Sequence, residues 1–203
     1  MNAIILDIDG TLLDSMDVDN RLYFEAVREV IGPVHERDVG DYEHVTDGGI
    51  LAQVLEDNGH AGNDDAAASI KSLFLEYLAN YVDESGPFPI IDGAIEFVAR
   101  LTELDDTHLA IATGCWRESA VLKLESAGFE FDAYRLATGD DAIARVDIMR
   151  TALDGAADGV ESITYFGDGE WDRRACAELG WDFVAVGPDL GGLETYVNYR
   201  LHD

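Results

Sequence analysis

Asp7 and Asp9 stand two residues apart in Asp7-Ile8-Asp9-Gly10-Thr11, directly behind the apolar run of residues 3–6. A strand that runs straight into turn residues ends at the edge of its sheet, and in open α/β sheets that edge is where ligands bind. Gly10 lets the backbone turn sharply behind the two carboxylates. Two like charges placed so close are costly unless a cation or a shared proton compensates them. Alone, the pentapeptide favours a site only moderately over an ordinary acidic turn, since Asp and Gly are common turn residues. Three further stretches carry polar groups suited to the same place. Ile111-Ala112-Thr113-Gly114 ends an apolar run with a hydroxyl and a glycine, and opens a helical pattern whose N-terminal amides can hold an anion. Tyr165-Phe166-Gly167-Asp168-Gly169-Glu170-Trp171-Asp172 ends another with Asp168 and Asp172, four residues apart. Between them Arg145 begins a helical pattern that carries Ile148, Met149 and Leu153.

These residues need a scaffold that brings strand ends together. Residues 3–6, 109–112, 163–166 and 183–186 read as buried strands, with a weaker fifth at 134–137. Helical patterns over 94–104, 118–127, 143–153 and 172–179 alternate with them. In the first, Ala94, Ile95, Phe97, Val98, Leu101 and Leu104 have the spacing of an amphipathic helix packed on a sheet. Near-continuous apolar strands alternating with such helices predict an α/β fold with a doubly wound parallel sheet. Residues 15–87 break the rhythm: they hold helical patterns at 20–31, 50–58 and 66–82 and no convincing strand. Ser85-Gly86-Pro87-Phe88-Pro89 reads as a linker back to the main body. The expected organisation is a core of residues 1–14 and 88–203 with an α-helical cap, 15–87, over the acidic edge.

A chain of 203 residues with 47% hydrophobic content can bury a real core. Its net charge is −29, from 42 acidic residues against 13 basic ones, and only Lys71 and Lys123 among the latter are lysines. Such a surface reads as solubility in concentrated salt, a halophilic adaptation to the medium. It argues against nucleic acid or an anionic membrane as partner, because phosphate backbones are held by basic patches. Cys115 and Cys176 are too few for a disulfide framework. With no run of eighteen apolar residues and no basic start leading to an apolar stretch, a cytoplasmic monomer or homodimer is expected.

The order Asp-x-Asp-Gly-Thr, apolar-Thr-Gly, basic residue, Gly-Asp-x-x-x-Asp resembles the haloacid dehalogenase-like hydrolase superfamily, specifically phosphatases with a helical cap between the first two motifs. The resemblance covers essentially the whole chain. It implies Asp7 as nucleophile, Asp9 as general acid/base, and Thr113 with Gly114 as phosphate binders. Arg145 is the best match to the third-motif basic residue, which is more often Lys before Pro; Arg135 and Lys123 compete with it. Asp168 and Asp172 match the acidic pair that holds Mg²⁺, together with Asp7 and the backbone carbonyl of Asp9. The implied reaction is Mg²⁺-dependent hydrolysis of a small phosphorylated metabolite through a phospho-aspartate. A phosphosugar mutase uses the same core residues, and a receiver-like module that stores a phosphoryl group is the rival from another class. In the cap, Val45-Thr46-Asp47-Gly48-Gly49-Ile50 resembles the Thr-Asp segment of phosphoglycolate phosphatase-like members, though Thr46 or Asp47 would equally serve as a helix cap. Arg21 and Tyr23 are candidates to face the cleft and contact a substrate carboxylate.

Overall fold

The first strand, β1 (Asn2–Leu6), is buried from Ala3 onward and lies at the centre of the sheet. The computed structural model describes residues 1–130, 133–156 and 159–200. Five parallel strands stand in the order β3-β2-β1-β4-β5, with β2 at Thr107–Ala112, β3 at Arg135–Ala137, β4 at Ser162–Gly167 and β5 at Asp182–Ala185. The weak fifth strand is therefore real, and the parallel doubly wound sheet is as expected. β1 pairs on both sides in matched register, Leu6 lying against Ile111 of β2 and Phe166 of β4. One residue past Leu6 comes Asp7, and two past the partner residues come Thr113 and Asp168. Register alone thus delivers three motifs to one edge, at the point where the strand order reverses.

The strands' alternating side chains feed two apolar layers. Ile4, Leu6, Ile111 and Phe166 join one cluster with Phe97 and Leu101 of α4 (Ala94–Thr102) and Ala120 and Leu124 of α5 (Arg117–Ser126). Ile5, Ala110, Ala112 and Tyr165 join the other with Ile148 and Met149 of α6 (Arg145–Thr151) and Ala175 and Cys176 of α7 (Glu170–Leu179). After β5 the chain returns across the first layer, where Tyr196 stacks on Phe97 and its hydroxyl donates to the Thr11 carbonyl at 3.1 Å. That bond holds the turn after β1 from beneath, and the sequence gives no sign of it.

Between β1 and α4 lie α1 (Met16–Ile31), a single 3₁₀ turn (Val39–Asp41), α2 (Asp47–Asp57) and α3 (Asp64–Ser85). All three helices begin before their expected starts; α2 and α3 open on Asp47-Gly48-Gly49 and Asp64-Asp65, polar or small residues that periodicity does not register. Thr46 caps α2 by accepting from the Gly49 amide, and Asn63 caps α3 by accepting from Ala66. Tyr23 stacks on Trp116, Phe74 meets both rings edge-on, and the three join this helical segment to the first apolar layer. Among the described residues no helix is long and apolar enough to cross a membrane.

Phe74 is fully buried at this junction. Phe74→Ala is expected to lower unfolding free energy by about 3–5 kcal/mol in urea titration; a loss under about 1 kcal/mol would show that the helical segment is not packed as described.

Candidate active site

Asp7 leaves β1 buried, with Oδ1 accepting the Ile8 amide at 2.8 Å and Oδ2 3.1 Å from Nη1 of Arg145. Burial holds the Asp7 carboxyl above its ordinary range, with Arg145 opposing and Asp9 adding to the rise. The Thr113 hydroxyl, which accepts the Cys115 amide at 3.3 Å, helps to lower the Asp7 pKa. Arg145 is the first residue of α6, and only 10% of its side chain is exposed. Its Nε lies 3.4 Å from Asp172 Oδ1, close enough to pair charges although not aligned as a hydrogen bond. Its Nη2 donates to the Val45 carbonyl at 3.2 Å. Of the three basic residues that the sequence leaves in competition, Arg145 is the one on Asp7; Arg135 is turned to Asp154. Asp172 is fully buried and accepts the Gly169 amide, and Asp168 approaches Gly10 so closely that a Cβ there would lie 2.1 Å from its Oδ2. Gly10, at φ +71°, is thus fixed both by its turn and by this contact.

Asp9 faces the other way. Its two oxygens meet Lys123 Nζ at 2.8 and 2.7 Å and accept from the Ser15 hydroxyl and the Cys115 thiol. The same ammonium reaches Asp19 Oδ1 at 2.6 Å. Burial pushes the Asp9 carboxyl upward, but Lys123, Cys115 and Ser15 outweigh it and hold the group below its usual value. Asp19, with less support, is pushed up to about 6 by burial. Burial beside Asp9 keeps Cys115 a thiol rather than a thiolate.

The helical segment forms the opposite wall. The Asp47 amide donates to the Gly114 carbonyl at 2.9 Å, and its Oδ2 accepts the Trp116 amide at 2.8 Å. Thr46 caps α2 and also donates to the Ile143 carbonyl, so both cap residues dock the segment onto the core. Gly114 permits that approach: a Cβ there would meet the Val45 carbonyl oxygen at 2.8 Å. Tyr23 lines the cleft and donates to the Asp47 carbonyl at 2.7 Å. One expectation needs correction: Arg21 is 57% exposed and paired with Glu25, because two residues from buried Tyr23 is roughly 200° around a helix. Ahead of α5 the Trp116 amide donates to Asp47, and the Arg117 amide that opens the helix donates to Asp140. The cleft enclosed by these walls has a volume of about 610 Å³ counting its mouth, and it is lined by Asp7, Asp9, Thr113, Gly114, Arg145 and Asp168 on the core side.

The model of the haloacid dehalogenase-like hydrolases matches residues 1–180. The chain belongs to that family. No curated protein matches it, but solved structures share its fold. A hydrolase from Pseudomonas syringae is 20% identical, covers 91% of this chain and 84% of its own, and superposes with a TM-score of 0.72. CbbY from Rhodobacter sphaeroides, solved in complex with phosphate, is 18% identical over 98% of this chain and 90% of its own, with a TM-score of 0.66. β-Phosphoglucomutase from Clostridium difficile is 14% identical over 92% and 85%, with a TM-score of 0.70.

Carboxylate oxygens of Asp7, Asp168 and Asp172 lie within 4.8 Å of one another. Burial and the charges of Asp7, Asp172 and Asp9 push Asp168 up to about 8, with Arg145 alone opposing. An all-oxygen donor set with more negative charge than one guanidinium can balance fits a hard divalent cation. The Asp9 carboxylate is outside this group, since Lys123 holds it. Lys123 is the residue whose role the sequence understates. One signal was available: a chain that uses two lysines places one ten residues after Thr113, on the helix that leaves the same strand end.

Lys123→Met leaves two buried carboxylates unpaired and is expected to cost about 3–5 kcal/mol in chemical denaturation. Adding Asp19→Asn should recover part of that loss, and a single variant as stable as the parent would contradict the pairing. A second expectation concerns metal and pH. A carboxyl with a raised folded pKa stabilises the fold while protonated; for Asp168 that contribution is complete below its ordinary 3.8 and is lost as pH rises through about 8. The rise in Tm on adding Mg²⁺ to chelator-treated protein should therefore grow from pH 5 to pH 8, and Asp168→Asn should flatten the trend. A Mg²⁺ effect independent of pH would argue against these ligands.

Proposed function

We propose that this hydrolase is a Mg²⁺-dependent phosphatase of a small phosphorylated metabolite, working through a phosphoryl-aspartate on Asp7. The observation that carries the reading is Arg145 bridging Asp7 and Asp172 at the strand edge shared with Thr113 and Asp168. An Asp7 oxygen attacks phosphorus, forming an acyl phosphate as the ester P–O bond breaks. Asp9, ionised against Lys123 before the ester binds, takes up a proton from solvent as the dianionic ester adds negative charge beside it, and gives that proton to the departing alkoxide; Lys123, Ser15 and Cys115 stabilise the carboxylate left behind. Asp9 then takes a proton from water as that water attacks the acyl phosphate, returning Asp7 and inorganic phosphate. Thr113 and Arg145 hold the phosphoryl oxygens through both steps. Mg²⁺, with Asp7, Asp168, Asp172 and the Asp9 carbonyl as ligands, supplies the positive charge that lets a dianionic ester approach these carboxylates.

A built acid/base site at Asp9 supports hydrolysis over storage of the phosphoryl group, because a receiver-like acceptor has no use for it. We read the charge of −29 as adaptation to concentrated salt, in the cytoplasm of a salt-loving cell. Turnover of para-nitrophenyl phosphate is expected to require Mg²⁺ and to fall by about a thousandfold or more in Asp7→Asn. Undiminished turnover by that variant would remove Asp7 from the role of nucleophile.

A further inference from the structure

The phosphatase reading leaves the alcohol half of the substrate unspecified, and the cleft carries information about it. Among the described residues that line the cleft, Arg145 is the one cation, and it faces the phosphoryl end. The other basic side chains near it are occupied elsewhere. Arg21 points outward to Glu25, and Lys71 is held by Glu118 and Asp140. Lys123 stands behind Asp9, its ammonium filled by Asp9 and Asp19.

The far side of the cleft has apolar wall from Met16, Phe24, Val39 and Ile50, with two carboxylates, Asp19 and Asp47. Asp19 has Lys123 as counter-ion. Asp47 is 9% exposed, and among the described residues no ammonium or guanidinium pairs with it; its one side-chain hydrogen bond is from the Trp116 amide. Burial together with the charge of Asp19 pushes its carboxyl up to about 8, so it ionises in mildly alkaline solution or beside an incoming ammonium. Its place is fixed by its own amide on Gly114 and by the Thr46 cap beneath it. Trp171, also on the lining, has a buried indole N–H with no acceptor among the described residues. A second phosphate or a carboxylate on the alcohol would lose water beside Asp19 and Asp47 and find no counter-charge. An ammonium would form an ion pair with Asp47, and a hydroxyl would find a hydrogen-bond partner in its carboxyl.

We infer that the substrate is the monophosphate of a small alcohol that is uncharged or carries an amine, and that Asp47 is the specificity-determining residue turning away esters with a second anionic group. The inference rests on the phosphatase reading and adds the class of the leaving group to it.

The test uses three two-carbon esters that differ only at the far end: O-phosphoethanolamine, 2-hydroxyethyl phosphate and 2-phosphoglycolate, with para-nitrophenyl phosphate as the control for phosphatase activity. With Mg²⁺ present at about pH 9, where Asp47 is ionised, kcat/KM for 2-phosphoglycolate is expected to be at least about tenfold below both of the others. Asp47→Asn should narrow that gap. Asn20→Arg, which sets a cation at an exposed position on the lining, should raise 2-phosphoglycolate against its neutral analogue and serves as the test if the first variant does not fold. The inference is overturned, and the phosphatase reading kept, if the aryl ester is hydrolysed while 2-phosphoglycolate equals or exceeds the neutral and amine esters. An unchanged gap in both variants removes the role given to Asp47. If no ester including the aryl phosphate turns over, the phosphatase reading fails and the inference with it.

Discussion

The structure depends on how two buried cations divide a crowd of buried carboxylates. Asp7 and Asp9 leave one strand end two residues apart, yet they do not face each other. Arg145, at the start of α6 under one side of the sheet, takes Asp7 and Asp172. Lys123, on α5 under the other side, takes Asp9 and Asp19. The cost of placing like charges together is met by cations from opposite layers, and this separation gives the two aspartates different chemistry. Asp7 is left near Thr113, Asp168 and the space for a cation; Asp9 is held ionised beside Lys123. Close backbone approaches at Gly10 and Gly167 make room, since a Cβ at either would strike a carboxylate of Asp168 or Asp172.

The same cations tie the helical segment to the core. Lys123 joins α5 to Asp19 on α1, and the chain's other lysine, Lys71 on α3, reaches Glu118 and Asp140. Arg145 adds the Val45 carbonyl, and Asp47 returns two hydrogen bonds to the strand end that carries Thr113. Polar links that close the cleft are therefore made by residues that also set its charge. Surface pairs of this kind contribute little when solvated, but Lys123 is fully buried and its pairing is of the other kind. In a chain of charge −29, lysine is used where a compact ammonium must serve several acids at once.

Much of this was legible beforehand, for physical reasons that can be named. Strands of parallel sheets are apolar on both faces, so residues 3–6, 109–112 and 163–166 stood out, and each ended in the residue that now faces the site. Arg145 was legible only as one of three candidates, because a helix start does not reveal which layer it joins. Lys123 was harder still: its burial depends on Asp9 and Asp19, which are distant in sequence. Arg21 misled because charge type was read without helical phase, and buried Tyr23 two residues on fixes that phase. Tyr196 lay in a segment without periodicity, and its bond to Thr11 is purely tertiary. That Asp47 accepts the Trp116 amide just ahead of α5 is visible only in the fold, because the two residues are distant in sequence.

The central claim is that Asp7, and no other carboxylate of the cluster, receives the phosphoryl group. The direct measurement is to mix Asp9→Asn protein briefly with Mg²⁺ and para-nitrophenyl phosphate, whose phenolate departs without a proton from Asp9, then quench, reduce with borohydride and map the peptides by mass spectrometry. An acyl phosphate on aspartate is reduced to homoserine, and the account predicts homoserine at position 7 alone. Homoserine at position 168 or 172, or no modified residue while the parent protein hydrolyses the same ester, would contradict it.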